Sequence, residues 1–332
     1  MFRLSSVANF ALVLLLASAA PAIAAGLDAV AINDAAAPTA KLPGRQQISA
    51  SVAKLEILLD RAHFSPGEID GKLGDNAQKA LTAFAEANGL SFDKAVTADL
   101  WSRLAAASEG AVIVTYTIVD ADVKGPFLKK IPARMEDMKS LPALNYTSPR
   151  EAIAEKFHMS EALLQALNPG QKFDKPGDGI AVANVLDPGK PPAIARVEVD
   201  KTRQTLSTFD AAGKLLAFYP ATVGSTEKPT PTGTLKVTAV NKNPTYRYNP
   251  KYKFKGVRSN KPFTIKPGPN NPVGVVWINL SGEGYGIHGT GDPGKVSKAA
   301  SHGCVRLTNW DAQRVAAGVA KGTPVTFLEG AR

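Results

Sequence analysis

Near residue 193 the hydrophobic residues of this 332-residue chain change period, and that switch rules out one repeating architecture. Before it, apolar residues recur at helical spacing. Val52, Leu55, Leu58 and Leu59 share one face; Ala80, Leu81, Phe84 and Ala85 share another, with Gly89 placed to end the helix; Leu100, Trp101 and Leu104 mark a third. After it the period is two. Ile194, Val197 and Val199 alternate with Arg196, Glu198 and Asp200, and TLSTF, the Asp210–Lys214 turn and LLAFYPATVG then read as a β-hairpin. A helix buries a stripe and a strand buries a face, so the two stretches belong to different units.

Between them, residues 113–187 mix both periods. Val112, Val114, Tyr116 and Ile118 alternate. Ser148-Pro149-Arg150-Glu151 then reads as a capping box with proline at the first helical position, and Ile153, Ala154 and Phe157 line one face. Leu163, Leu164 and Leu167 carry a second helix, and a strand follows Pro176-Gly177-Asp178. In residues 47–107, Asp70-Gly71, Gly74, Ala80, Phe84 and Gly89-Leu90 resemble the peptidoglycan-binding domain type 1 family, with Ala77 and Ala85 where that family usually has Thr and Gln. The strand-helix-helix-strand order of 113–187, with IAEKFHMSEALLQALNPG and PGDGIAVANV, resembles a LysM domain without its usual Gly-Asp-Thr start. The expected fold class is therefore multidomain α+β: a small helical module at 47–107, a LysM-like α+β module at 113–187, and a mostly β, sandwich-like catalytic domain at 193–329.

The N-terminus sets the compartment. Met1-Phe2-Arg3, the apolar run Phe10–Ala20 and Ala22-Ile23-Ala24-Ala25 have the charge, length and small-residue order of a signal peptide over residues 1–25. The run is short for a membrane span and no second one follows, so the expected mature protein is exported, soluble and periplasmic. Residues 26–46, rich in Ala, Pro and Asp, read as a flexible linker. In an oxidising compartment, structural cysteines come in pairs, yet this chain has one cysteine.

That cysteine, Cys304, lies in the run GYGIHGTGDPGKVSKAASHGCVRLTNWD, which also holds two of the four histidines, His288 and His302. A thiol becomes a good nucleophile only beside a base or positive field. In an extended strand His302 and Cys304 share a face, Gly303 offers a backbone N–H to an oxyanion, and Arg306 on the same parity adds charge. Spacing alone leaves either histidine as the base. Two His and one Cys are also legitimate zinc ligands, but the window adds only Asp292 and Asp311, and Asp311 reads as a helix cap after Thr308. No metal and no cofactor are expected.

His288-Gly289, the spacer, Ser301-His302-Gly303-Cys304 and Arg306, flanked by Thr230–Gly233, Asn271-Pro272 and Gly322–Val325, resemble the L,D-transpeptidase (YkuD-type) catalytic domain family over about 135 residues. The resemblance implies Cys304 as nucleophile and His288 as its base, oriented by the Gly289 carbonyl. It also implies that His302 lines the site and that the N–H groups of Gly303 and Cys304 form the oxyanion hole. Ser301, Arg306, Tyr285, Lys251 and Lys253 are the expected substrate contacts. The implied reaction releases D-alanine from a peptidoglycan tetrapeptide stem and passes the acyl group to an amine, of another stem in a 3–3 cross-link or of a lipoprotein. The implied partners are peptidoglycan stem peptides and glycan. Water as acceptor would make an L,D-carboxypeptidase, and loss of chemistry a wall-binding scaffold.

From Asn241 to Asn271 the chain carries eight basic residues and no acidic one, leaving +2 of a formal +10 for the remainder. Tyr246, Tyr248, Tyr252 and Phe254 are interleaved. Basic-aromatic interleaving suits nucleic acid, but not in an exported protein. The stretch is expected to be a long loop, lidding the site and meeting stem-peptide carboxylates.

Overall fold

The computed structural model describes residues 27–38, 47–93, 95–107, 109–185, 189, 191–225, 229–252, 257–298, 301 and 303–329. The expected signal peptide lies outside them. Part of the expected linker is folded: α1 (Ala29–Asn33) is capped by Asp28, whose carboxylate accepts from Ala31 N–H, and it buries Ile32. Asn33 then ties it down, its side chain accepting from Val112 and Ile113 N–H and donating to Ile113 O. Alanine-rich composition hid a cap and one apolar anchor.

The helical unit holds α2 (Ala50–Arg61), α3 (Asp75–Ala87) and α4 (Ala98–Ala106). The next unit runs β1 (Ile113–Thr117), the single turns α5 (Asp120–Val123) and α6 (Met135–Met138), α7 (Pro149–Lys156), α8 (Glu161–Leu167) and β2 (Gly179–Ala183), with β1 and β2 antiparallel. At α7 the Ser148 hydroxyl accepts from Glu151 N–H as expected, but the Glu151 carboxylate reaches past Ser148 to Thr147 N–H and Oγ1. Only half of the capping box forms.

The two front units were expected to be separate modules. They share one core instead, in which Leu55, Leu59, Leu81 and Leu100 join Ile153, Leu163, Leu164 and Val182. Small units bury a low fraction of their surface, so merging two of them lowers the exposed fraction.

Eight of the remaining strands form one sheet in the order β11-β10-β9-β6-β12-β3-β4-β5. They are β3 (Arg196–Asp200), β4 (Thr205–Phe209), β5 (Leu215–Pro220), β6 (Gly233–Lys242), β9 (Val276–Leu280), β10 (Gly286–His288), β11 (Val305–Arg306) and β12 (Pro324–Leu328). The helix α9 (Asn309–Gly318) packs on it, its Thr308 cap accepting from Asp311 N–H at 3.2 Å. Val197, Val199, Leu206, Ile278, Ile287, Val305, Val315 and Val325 make the second core.

The basic stretch is not one irregular loop. β7 (Tyr246–Tyr248) and β8 (Phe263–Ile265) pair as an antiparallel hairpin. Tyr248, Phe263 and Ile265 bury against Leu144, with Leu128, Met135, Met138 and Leu141 of the second front unit around them. Proline and asparagine on both sides masked two three-residue strands whose apolar partners lie over a hundred residues away.

The front units also dock on the eight-stranded sheet. Phe64 bridges to Phe218 on the edge strand β5, with Ser65 N–H donating to Phe218 O and Phe218 N–H to His63 O. Beneath that bridge lies a buried polar cluster. Asp60 pairs with His158 at 3.0 Å and Arg314 at 3.4 Å, His158 stacks on Trp310, and the Ser65 hydroxyl donates to Asp311 at 2.9 Å. Asp311 therefore does more than sit in a cap: its carboxylate faces another unit and one of its oxygens has no partner among the described residues. Burial, with the Asp60 charge second, pushes that carboxyl up to about 7.

Candidate active site

β10 and β11 are parallel neighbours, with Ile287 opposite Val305 and His288 opposite Arg306. Strand pairing therefore brings the His-Gly pair and the cysteine segment together across the spacer. Cys304 immediately precedes β11 and is partly exposed, while His288 is 4% exposed. The Cys304 thiol donates to Gly284 O at 3.5 Å.

His288 is held on two sides. Its Nδ1 lies 2.7 Å from Gly289 O; a carbonyl can only accept, so Nδ1 carries the proton and Nε2 keeps its lone pair. On the face of the ring, Trp277 stacks at 5.4 Å and 16°. Trp277 faces His288 across the antiparallel β9–β10 pair, and its indole N–H is fixed by Asn279 Oδ1 at 2.6 Å. Gly286 leaves room for the indole, since a Cβ there would stand 2.6 Å from it. Sequence reasoning missed Trp277, because only register sets it opposite a residue eleven positions away.

Burial, with the Arg306 charge second, drives the His288 imidazole down to about 3 against the favourable Gly289 bond. Burial pushes the Cys304 thiol up to about 11, opposed by a backbone hydrogen bond from Gly286 and by Arg306. Burial thus favours the neutral form of both groups, an arrangement suited to proton transfer during attack.

Arg306 lies where Cys304, Asp292 and Tyr246 of the hairpin all act on its charge. Its backbone is clamped to Thr222 by a pair of hydrogen bonds at 2.9 Å, yet its Nε is buried with no partner among the described residues. An unpaired buried guanidinium N–H invites an acceptor from outside, a carboxylate above all.

Two expectations change. Ser301, expected to touch substrate, is 3% exposed and spends its hydroxyl on the turn, donating to Cys304 O at 2.5 Å and accepting from Gly303 N–H at 3.2 Å. The Gly303 N–H, expected in the oxyanion hole, is thereby already occupied. Gly303 takes φ 104°, a backbone conformation open to glycine, so its role lies in the turn that presents Cys304. Tyr285 is half-buried at the β9–β10 turn against Gly282. Lys251 stands exposed on a single 3-10 turn, Pro250–Tyr252, between β7 and β8. His302 and Lys253 lie outside the described residues.

The sequence model of the YkuD family, described as the L,D-transpeptidase catalytic domain, matches residues 194–327. The putative L,D-transpeptidase YkuD of Bacillus licheniformis is 32% identical over 180 residues, covering 53% of this chain and 92% of the relative. Its counterpart in Bacillus subtilis is 31% identical over 177 residues, covering 53% and 91%. The probable L,D-transpeptidase YbiS of Escherichia coli is 26% identical over 187 residues, covering 55% and 61%.

Proposed function

Since this chain belongs to the L,D-transpeptidase family of peptidoglycan enzymes, with its catalytic domain at residues 194–327, we propose that it is an exported, periplasmic acyltransferase with Cys304 as nucleophile. The observation that carries the reading is the 2.7 Å bond from His288 Nδ1 to Gly289 O, which leaves Nε2 free to accept a proton. The carbonyl does here what the acid does in a Ser-His-Asp triad: it fixes tautomer and orientation.

Cys304 Sγ attacks the carbonyl between the L-centre of meso-diaminopimelate and the terminal D-alanine of a tetrapeptide stem while His288 takes the thiol proton. The oxyanion is met by the Cys304 N–H; Gly303 N–H joins only if Ser301 releases it. As the tetrahedral intermediate collapses, imidazolium returns the proton to the departing D-alanine amine and a thioester remains. An acceptor amine, of a second stem or of a lipoprotein, loses its proton to His288 and attacks the thioester, regenerating the thiol. The unpaired Nε of Arg306 supports a stem carboxylate beside Cys304.

The test is mass analysis of products from purified sacculi incubated with wild-type protein and with Cys304→Ala. The expected result is D-alanine release with dimeric cross-linked or lipoprotein-bearing stems, all absent in the variant. Shortened monomeric stems alone would make water the acceptor and the enzyme a carboxypeptidase. Unchanged products in Cys304→Ala, or loss of activity on chelation, would overturn the reading.

A further inference from the structure

Behind His288 the catalytic domain is braced by a residue of the second front unit. Asn309 opens α9 and is 1% exposed. Its Nδ2 donates to both oxygens of Glu155, at 3.0 and 3.1 Å, and to Pro269 O at 3.0 Å. Its Oδ1 accepts from Val275 N–H at 3.2 Å and lies against the backbone of Gly289 and Gly274, where a Cβ on either glycine would collide with it. Glu155, near the end of α7, also accepts from the Tyr146 hydroxyl at 2.8 Å.

An asparagine amide has two orientations, and the wrong one here would put Nδ2 against the Val275 N–H and the Gly289 backbone. Pro269 O favours the observed orientation with one acceptor, and Glu155 adds two more oxygens that want a donor. The Gly289 peptide has no side chain of its own to hold it. The carbonyl belongs to the Gly289–Thr290 peptide, whose plane is set by the close approach of Gly274 to its carbon and nitrogen and by the wall that Asn309 Oδ1 provides beside Gly289. That plane aims the carbonyl at His288 Nδ1.

We propose that Glu155 and Asn309 are positioning residues for His288, acting through the Gly289 backbone. The 113–187 unit is then part of the catalytic apparatus. The inference rests on the reading of His288 as the base for Cys304. Burial keeps the Glu155 carboxyl at about 7, so it is close to neutral cost in either protonation state and both states retain oxygens that accept from Asn309.

The experiment measures the second-order rate of Cys304 alkylation by iodoacetamide against pH in the full-length protein, with thermal midpoints alongside. Iodoacetamide is neutral and needs no stem-binding surface. Base-assisted reaction governs the neutral limb, and free thiolate governs the alkaline limb. Glu155→Ala and Asn309→Ala should each slow the neutral limb on the order of 10-fold and leave the alkaline limb in place, the expected cost of a displaced base. Glu155→Gln, whose amide oxygen still accepts from Asn309, should restore it, and the double alanine variant should be no slower than Asn309→Ala. A lowered thermal midpoint with a wild-type neutral limb, or equal slowing of both limbs, would overturn the inference. Should Glu155→Ala not fold, Asn309→Ala carries the same two outcomes. A neutral limb that ignores His288→Ala sinks the parent reading; one that responds to His288→Ala but not to Glu155→Ala or Asn309→Ala sinks this inference alone.

Discussion

At the residue scale, the site depends on neutral partners. With His288 held near 3, activity should persist as pH falls through 6.5, the ordinary histidine range, and decline only well below it. The acid limb of kcat/KM checks this, and a midpoint near 6.5 would mean that His288 is more solvated in solution. Replacing Trp277 by Leu removes the stacked ring that limits imidazole rotation, so it should slow acylation by roughly 10-fold while leaving KM nearly unchanged. Arg306→Gln should do the reverse and chiefly raise KM, because a substrate carboxylate loses its charged partner. Cys304, His288 and Arg306 were legible in the sequence as candidates because the cysteine segment is contiguous and its residue types are chemically rare. Trp277, Asn309 and Glu155 were not, since their parts in the site depend on strand register or on contacts across more than 150 residues.

Individual elements show where local rules sufficed and where they failed. α3 follows its apolar spacing up to Gly89, α9 follows its Thr308 cap, and the β3–β4 pair follows the alternation of Val197 and Val199. The β7–β8 hairpin defied the same reading because short strands amid breakers acquire their apolar face only against Leu144 and its neighbours. Its charge remained readable: Lys242, Arg247, Lys251, Arg258, Lys261 and Lys266 are all exposed. Tyr246, on the hairpin's first strand, places this element beside Arg306. Changing Lys251 and Lys261 to Gln should therefore raise KM for anionic stems and flatten its salt dependence, over a Debye length of about 10 Å at 0.1 M. KM against ionic strength checks it; parallel curves for the two proteins would make the hairpin charge incidental.

For the whole molecule, the buried Asp60–His158–Arg314–Asp311 cluster joins three sequence units, a juxtaposition that no local pattern announces. Asp311 is raised in the folded state to about 7 from an ordinary 3.8. The folded protein thus prefers the protonated form, and its contribution to stability is fully present below 3.8 and lost as pH rises through 7. Asp311→Asn should raise the thermal midpoint relative to wild type at pH 8 and change it less near pH 4. Midpoints of both proteins across that window provide the check. A flat difference would mean that the carboxyl stays ionised throughout.

The Phe64–Phe218 bridge has one more consequence, for colloidal behaviour. β5 is the last strand of the eight-stranded sheet, and the front units cover it. A shortened enzyme beginning near residue 190 would present β5 with open N–H and C=O groups and a bare Phe218, a template for another copy to pair with. Such a fragment should self-associate as its concentration rises, visible as growing scattering mass. By masking that strand, the front units help keep the enzyme dispersed.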